Sequence, residues 1–176
     1  MDYFDALGLE PNLALDPAGL KERFYEQSRH WHPDKFTRAS AIEQQKALDT
    51  TALLNDAFRT LRDPVSRAEY LLEKHKIEAA KTPPPELLEE VFELNMALEE
   101  LREGDESARP QLVEAQQKFT GMLAQIDHSL EVMFGRYDAA HDHSVLLAIR
   151  SVLDRRRYIS NLLRDVGKEL NVHLSN

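Results

Sequence analysis

The chain has 176 residues, of which 42% are hydrophobic and 30% are charged, so it can form one large or two small packed domains. The absence of cysteine excludes disulfides, thiolate zinc sites and cysteine-ligated iron–sulfur clusters in this chain. A formal net charge of −9 argues against a nucleic-acid partner, because neutralising phosphates requires a basic face.

Hydrophobic residues recur at spacings of three and four along the chain, and strand-like alternation is absent, which predicts an all-α fold. No segment approaches the roughly 20 apolar residues of a membrane span. The N-terminal residues "MDYFDALGLE" lack a signal-peptide pattern. We therefore expect a soluble, cytoplasmic protein with neither a nucleic-acid nor a membrane partner.

Capping residues indicate the first two helices. Asp2 is a candidate cap for a short helix that ends near Gly8. Asp16 occupies the capping position of a second helix, and Pro17 stands at its first turn, where a missing N–H costs nothing. This helix should end one or two residues before Pro33, since the residue that precedes a proline is disfavoured in the α region.

A longer third helix is predicted to begin after Ser40, with Glu43 completing a capping box. One apolar face of it is expected to pack; its members are Leu48, Thr51, Leu54, Phe58 and Leu61. The "RDP" sequence at 62–64 ends this helix, and Pro64 begins a fourth one.

The sequence "KTPPPE" marks a domain boundary, because three consecutive prolines cannot lie inside a helix and form a stiff, extended spacer. We predict one domain at 1–78, a proline-rich linker at 79–85, and a second domain at 86–176. The second domain contains three long amphipathic stretches with short connections, which predicts a three-helix bundle. Its middle helix is expected to end near Gly135, and its last helix to run from about Ser144 to Leu170.

The last helix is expected to pack through one apolar stripe, namely Val145, Ile149, Val152, Ile159, Leu163, Val166 and Leu170.

The sequence "HPDKF" follows the second helix and is the first candidate binding site. Pro33 fixes its own φ and so stiffens the turn, which lowers the ordering cost of binding. Asp34 presents a carboxylate suited to a bidentate arginine on a partner. Nearby basic residues would steer the turn toward an acidic surface; they are Lys21, Arg23, Arg29 and Lys35. The simpler alternative is that His-Pro-Asp is only a turn at a helix end.

A short helix precedes the pair formed by the second and third helices, and an "RDP" break and a fourth helix follow the pair. In this arrangement, residues 1 to about 76 resemble the J-domain of DnaJ-type co-chaperones. His32, Pro33 and Asp34 match the tripeptide of that family. The sequences "DYFDALGL" and "LLNDAFRTLRDPVSRAEYLL", without a Gly/Phe-rich region or cysteine zinc ribbon, are similar to the iron–sulfur co-chaperone branch, the HscB or Jac type. The resemblance implies a helical hairpin with the His-Pro-Asp loop and flanking short helices, followed by a compact three-helix bundle.

The resemblance also implies two partners and no catalytic site or cofactor of the chain's own. A DnaK/HscA-class ATPase chaperone would bind His32, Pro33, Asp34 and Lys35 together with Lys21, Arg23 and Arg29. An IscU-type iron–sulfur cluster scaffold protein would bind the second domain. The residues matched to that site are Leu88, Phe92, Glu93, Met96, Glu100 and Tyr158.

Helical spacing gives part of the same surface independently. Leu88, Phe92 and Met96 form a line at i, i+4 that is separate from the predicted core stripe Leu87, Val91, Leu94, Leu98 and Leu101. Glutamates border the line, and an apolar strip with a polar rim is typical of a partner surface. The alternative is that these residues widen the core stripe or pack on the first domain.

Three other functions remain as alternatives. A metal-dependent enzyme would need better ligand spacing, because His30 and His32, like His141 and His143, are two residues apart rather than four. A general J-domain protein would deliver unfolded clients, although that role favours a promiscuous hydrophobic site. The third alternative is a purely structural helical protein.

Overall fold

The computed structural model describes residues 1–172 of the chain, and this part contains helices and no strand. The α-helices are α1 Tyr3–Leu7, α2 Pro17–His30, α3 Ala41–Leu61, α4 Pro64–Lys74, α5 Leu88–Arg102, α6 Arg109–Ala140 and α7 His143–Val172. The chain divides into two compact units. Unit 1 contains Met1–Ile77 and Phe134–Asp142, and unit 2 contains Glu78–Met133 and the residues from His143 onward. The all-α prediction is confirmed.

The predicted helix starts are confirmed by side-chain caps. Asp2 accepts a hydrogen bond from the Asp5 amide at 2.9 Å, and α1 ends at Gly8, which adopts a left-handed φ of 64°. Asp16 caps α2 by accepting from the Gly19 amide at 2.8 Å. These caps satisfy amides that have no partner within a helix, which is why short polar residues at these positions were informative.

The other boundaries in unit 1 agree with the sequence to within one residue. Helix α2 ends at His30, one residue before the predicted Trp31 or His32. Ser40 and Glu43 form the predicted capping box of α3, with the Ser40 amide donating to the Glu43 carboxylate at 2.9 Å. Pro64 stands in the first turn of α4, whose N-cap is Asp63.

In unit 1, α1, α2 and α4 all pack against α3. The buried apolar side chains of these helices are Phe4, Ala6, Leu7, Leu20, Ala47, Leu54, Ala57, Leu61, Ala68, Leu71 and Leu72. The predicted face of α3 is wrong at Leu48, which is 52% exposed, whereas Ala47 is fully buried. Ala47, Leu54 and Leu61 lie at heptad spacing, so the small alanine lets a neighbouring helix approach where a leucine had been expected.

The predicted end of α6 near Gly135 is wrong, since the helix continues to Ala140. A glycine inside a helix costs only about 1 kcal/mol relative to alanine. Burial of Phe134 and Tyr137, which are 4% and 2% exposed, compensates for that cost. The left-handed conformation that terminates helices occurs instead at His141, with φ 50°.

Hydrogen bonds join the 134–142 segment to the loop between α1 and α2 in unit 1. The Asp138 carboxylate accepts from the amides of Leu13 at 2.7 Å and Ala14 at 2.8 Å. The buried Arg67 guanidinium donates to the carbonyl oxygens of Leu61 and Leu13. Burial lowers the pKa of Arg67, while the charges of Asp63 and Asp138 oppose that shift. These polar groups are therefore paired where they leave water.

In unit 2, α5, α6 and α7 form the three-helix bundle. Its buried apolar residues on α7 are Leu146, Ile149, Leu153, Ile159, Leu162, Val166 and Leu170. The predicted stripe is correct at Ile149, Ile159, Val166 and Leu170. Val145, Val152 and Leu163 are only half-buried, because the leucine next to each of them faces the core. Among residues 1–172, no helix has the length and hydrophobicity needed to cross a membrane.

An ion pair between Asp2 and Lys74 joins the chain start to the end of α4. Burial opposes ionisation of Asp2, but hydrogen bonds from Lys74 and from the Asp5 amide outweigh it and hold the pKa of Asp2 below its ordinary value. The hydrogen bond to Asp2 in turn raises the pKa of Lys74. A lowered carboxyl pKa contributes stability that is complete above the unfolded pKa and is lost as the pH falls through the folded value.

We therefore expect Asp2→Asn, which retains an oxygen for the Asp5 amide, to lower the free energy of unfolding at pH 7 by up to about 1 kcal/mol. At a pH below the folded pKa of Asp2, where the carboxyl of the unmodified chain is protonated, the two proteins should unfold at the same urea concentration. An equal loss at both pH values would assign the effect to the helix cap and not to the ion pair.

Candidate functional sites

The His-Pro-Asp sequence forms a short 3-10 turn, Pro33–Phe36, directly after α2. His32 caps this turn, because its Nδ1 accepts a hydrogen bond from the Asp34 amide at 3.3 Å. The Asp34 carboxylate is 87% exposed, and one of its oxygens lies 3.5 Å from His32 Nδ1. Capping is therefore performed by the histidine, and the aspartate carboxylate is presented to solvent.

An aromatic stack across the turn and hydrogen bonds from α3 to the residues on either side order this segment. The rings of Trp31 and Phe36 stack with centroids 5.8 Å apart, which brackets the tripeptide on both sides. The Thr51 hydroxyl donates to the Trp31 carbonyl at 3.2 Å. Gln44 donates to the Ala39 carbonyl at 3.0 Å. The turn is thus ordered before any partner arrives, which reduces the entropic cost of binding.

A shallow groove of about 410 Å³ lies beside the turn. The residues that line it are Tyr25, Ser28, Arg29, His32, Asp34 and Lys35. Four of them were predicted from the sequence, whereas Tyr25 and Ser28 were not. Tyr25 is four residues from both Lys21 and Arg29, and this spacing on a helix could have identified it.

The basic residues of α2 do not all face this groove. The Lys21 ammonium lies 5.8 Å from the centre of the Tyr25 ring, so Lys21 is on the groove side. Arg23 is about 200° away from Lys21 around the helix, at roughly 100° per residue. It pairs with Glu26 at 3.6 Å. The structure therefore places Arg29 and Lys35 at the groove and Lys21 beside Tyr25, and it leaves Arg23 on another face of α2.

A second candidate site is the exposed face of α5 in unit 2. Leu88, Phe92 and Met96 are 52%, 65% and 51% exposed. Their neighbours Leu87 and Leu94 are 1% and 3% exposed. The three residues do not widen the core, and the i, i+4 line predicted from the sequence lies on the surface.

Glutamates border the α5 face, and the aromatic residue predicted for the same site lies on α7. Glu93 and Glu100 are both exposed. Glu93 also lines a groove between α5 and α6, where Glu90 is paired with Lys118. On α7, Tyr158 is half-buried beneath the Arg157 guanidinium, which lies 5.4 Å from the ring centre.

The histidine pairs do not form a metal site in the part of the chain that the structure describes. His30 packs edge-on against Trp31 with centroids 5.3 Å apart, and His32 caps the turn. No group of three histidine or carboxylate residues within 1–172 could hold a metal ion.

Two family models match the chain, one for each half. Residues 2–70 match the DnaJ domain, and residues 83–167 match the HSCB C-terminal oligomerisation domain. The chain is also similar to the solved structure of the chaperone HscB from Vibrio cholerae, with 31% identity, a TM-score of 0.66 and 99% of each chain covered. The chain belongs to the HscB family of J-domain co-chaperones.

A second HscB structure supports this assignment. The human co-chaperone protein HscB is 25% identical, with a TM-score of 0.63 over 96% of this chain and 82% of that one. The groove beside His32 lies in the DnaJ domain, and the α5 face lies in the HscB C-terminal domain. The two candidate sites thus belong to different domains of an HscB-type co-chaperone, and the family resemblance found in the sequence is confirmed.

Proposed function

We propose that this chain stimulates the ATPase of a DnaK/HscA-class chaperone and delivers an IscU-type scaffold protein to it, promoting iron–sulfur cluster assembly and transfer. The observation that carries the proposal is the presence of a DnaJ domain and an HscB C-terminal domain in one chain. In this proposal residues 1–78 are the J-domain, 79–85 the linker and 86–176 the scaffold-binding domain. The iron–sulfur cluster is cargo of the scaffold and is not bound by this chain.

The proposed chaperone site is the groove beside the His-Pro-Asp turn. The exposed Asp34 carboxylate can accept two parallel hydrogen bonds from an arginine of the chaperone. Arg29 and Lys35 line the same groove and favour an acidic partner surface. His32 holds the Asp34 backbone, so the carboxylate is presented from a fixed main chain.

The proposed scaffold site is the α5 face with Tyr158. Covering exposed apolar side chains of this size with a partner is favourable, because burial of apolar surface contributes roughly 25 cal/mol per Å². Glu93 and Glu100 supply a polar rim that selects for a basic or polar border on the scaffold protein. A defined apolar face of this kind favours one structured partner over many unfolded clients.

The test is the ATPase rate of the cognate chaperone with this chain alone, with the scaffold protein alone and with both. We expect this chain alone to raise the rate and the scaffold protein to raise it further. Stimulation that is indifferent to the scaffold but responds to an unfolded client would instead support a general J-domain protein.

Arg29 and Arg23 provide a matched pair for the proposed chaperone site. Arg29 lines the groove, whereas Arg23 lies elsewhere and pairs with Glu26. Both arginines lie on α2 and carry one charge, so Arg29→Gln and Arg23→Gln change long-range attraction equally. We expect Arg29→Gln to weaken half-maximal stimulation roughly tenfold, and Arg23→Gln less than about twofold. Equal losses of stimulation in the two variants would mean that the chaperone responds to the net charge of α2 and not to the groove.

A further inference from the structure

One residue of the linker is held by α7 through both of its backbone groups. The Ala80 amide donates to Oδ2 of Asp154 at 3.0 Å. The Ala80 carbonyl accepts from the Arg157 guanidinium at 2.7 Å. Asp154 and Arg157 are three residues apart and therefore neighbours on the helix surface. At this residue the linker is anchored to α7, whereas its prolines predicted only a stiff, extended spacer.

The anchor rests on a buried ion pair. Arg150 and Asp154 are 6% and 7% exposed, and Nη2 of Arg150 lies 2.9 Å from Oδ1 of Asp154. Nε of Arg150 donates to the same oxygen at 3.1 Å. A buried carboxylate is costly unless its oxygens are satisfied. The Ala80 amide satisfies the second oxygen, so the linker completes the pair and has a single defined position against it.

Arg157 joins this anchor to the proposed scaffold site. Its Nη2, which donates to Ala80, lies 3.8 Å from Oδ1 of Asp154. Its guanidinium also lies 5.4 Å from the centre of the Tyr158 ring. A side chain fixed by a carbonyl and a carboxylate loses its rotational freedom, and a cation held over an aromatic face attracts the ring.

We propose that Arg157 is a positioning residue which, tied to the Ala80 carbonyl of the linker, holds the Tyr158 ring in the orientation that binds the scaffold protein. The inference rests on the proposed function, because Tyr158 belongs to the proposed scaffold site. A ring that is ordered before binding loses less conformational entropy when an apolar surface of the scaffold covers it.

The first measurement uses this chain alone and tests positioning without the scaffold. Arg157→Met keeps an unbranched side chain but removes the charge and the donors. In NMR spectra of the full chain, we expect this variant to shift and broaden the Tyr158 ring signals and to accelerate hydrogen exchange of the Ala80 amide. Arg164→Met, which removes one charge from an exposed residue paired with Asp165, should change neither signal. Unchanged Tyr158 and Ala80 signals in Arg157→Met would overturn the inference.

The second measurement is a double-mutant cycle on binding of the IscU-type scaffold protein, at a temperature where circular dichroism shows every variant folded. We expect Arg157→Met to weaken binding roughly fivefold, in keeping with an exposed cation–π contact. In the Tyr158→Ala background the same substitution should change affinity less than about 1.5-fold, since an arginine that acts through the ring has nothing left to position.

A fivefold loss in both backgrounds would mean that Arg157 contacts the scaffold independently, which contradicts a positioning role. No loss in either background would also contradict it. If the unmodified chain bound no scaffold, the proposed function would fail, and the NMR signals would still decide whether Arg157 orders the ring.

Discussion

Asp34→Asn is expected to abolish stimulation of the partner chaperone while leaving the fold intact. The Asp34 carboxylate is 87% exposed, and the turn that contains it is capped by His32. Its removal therefore leaves no buried group unpaired in this chain. We expect the free energy of unfolding to change by less than about 0.5 kcal/mol, as is usual for surface substitutions.

The loss of stimulation should be large because asparagine cannot reproduce a charged, bidentate contact with arginine. Truncating one partner of a desolvated charge pair costs about 2–5 kcal/mol. The lower value corresponds to roughly a 30-fold weaker interaction. The measurement is the chaperone ATPase rate as a function of co-chaperone concentration, together with thermal unfolding of the variant.

Asp49→Asn provides the matched control. Asp49 is an exposed aspartate of α3 that accepts a hydrogen bond from Gln45, and an asparagine oxygen can replace that acceptor. This variant should stimulate normally. If Asp34→Asn unfolded markedly earlier and still stimulated in the cold, Asp34 would be a structural residue of the turn and the proposed docking role would be wrong.

Much of the fold could be predicted because helix ends are determined locally. Asp2, Asp16 and the Ser40–Glu43 box satisfy amides within three residues of themselves, so the signal lies in adjacent positions of the sequence. The His-Pro-Asp turn is similar, since proline restricts the backbone wherever it occurs.

What depends on neighbours distant in sequence was not predictable. Gly135 suggested a helix end, but burial of Phe134 and Tyr137 in unit 1 extends α6 beyond it. Leu48 was expected in the core of α3, but the adjacent Ala47 is buried in its place, because close packing of a helix can favour the smaller residue. Hydrophobicity alone does not contain that information.

The candidate sites also combine features that the local sequence predicts with features that depend on distant residues. The line Leu88, Phe92 and Met96 follows from helical spacing, so its position on one face was predictable, whereas its exposure required knowing which face packs. The contacts of Ala80 with Asp154 and Arg157 join residues more than 70 positions apart. Nothing in the local sequence indicates such contacts.

Replacing Leu88 and Phe92 together by alanine is expected to weaken scaffold binding by about 1–3 kcal/mol, with little change in melting temperature. Both side chains are more than half exposed, so truncating them leaves no cavity in the bundle. In a complex with the scaffold protein these side chains would be covered. The alanine variant would bury less apolar area in that complex and would therefore bind more weakly. Calorimetric titration with the scaffold and thermal unfolding measure the two quantities separately.

Two single substitutions serve as controls for this variant. Val132→Ala removes an apolar side chain of α6 that is 47% exposed and outside the proposed site, so neither binding nor stability should change appreciably. Leu87→Ala removes a residue that is 1% exposed and should lower the free energy of unfolding by about 2–5 kcal/mol. These two controls show how the loss of an exposed and of a buried apolar side chain changes binding and stability in unit 2.

The double variant distinguishes an interface from a core, because loss of interface residues weakens binding, whereas loss of core residues lowers stability. If it resembled Leu87→Ala, losing stability while the folded fraction bound the scaffold with unchanged affinity, the α5 face would contribute to folding and not to binding. If it resembled Val132→Ala in both measurements, the face would be an apolar surface without a role in this complex. Only weakened binding at unchanged stability places the scaffold protein on Leu88 and Phe92, because that combination requires side chains that are exposed in the free chain and buried in the complex.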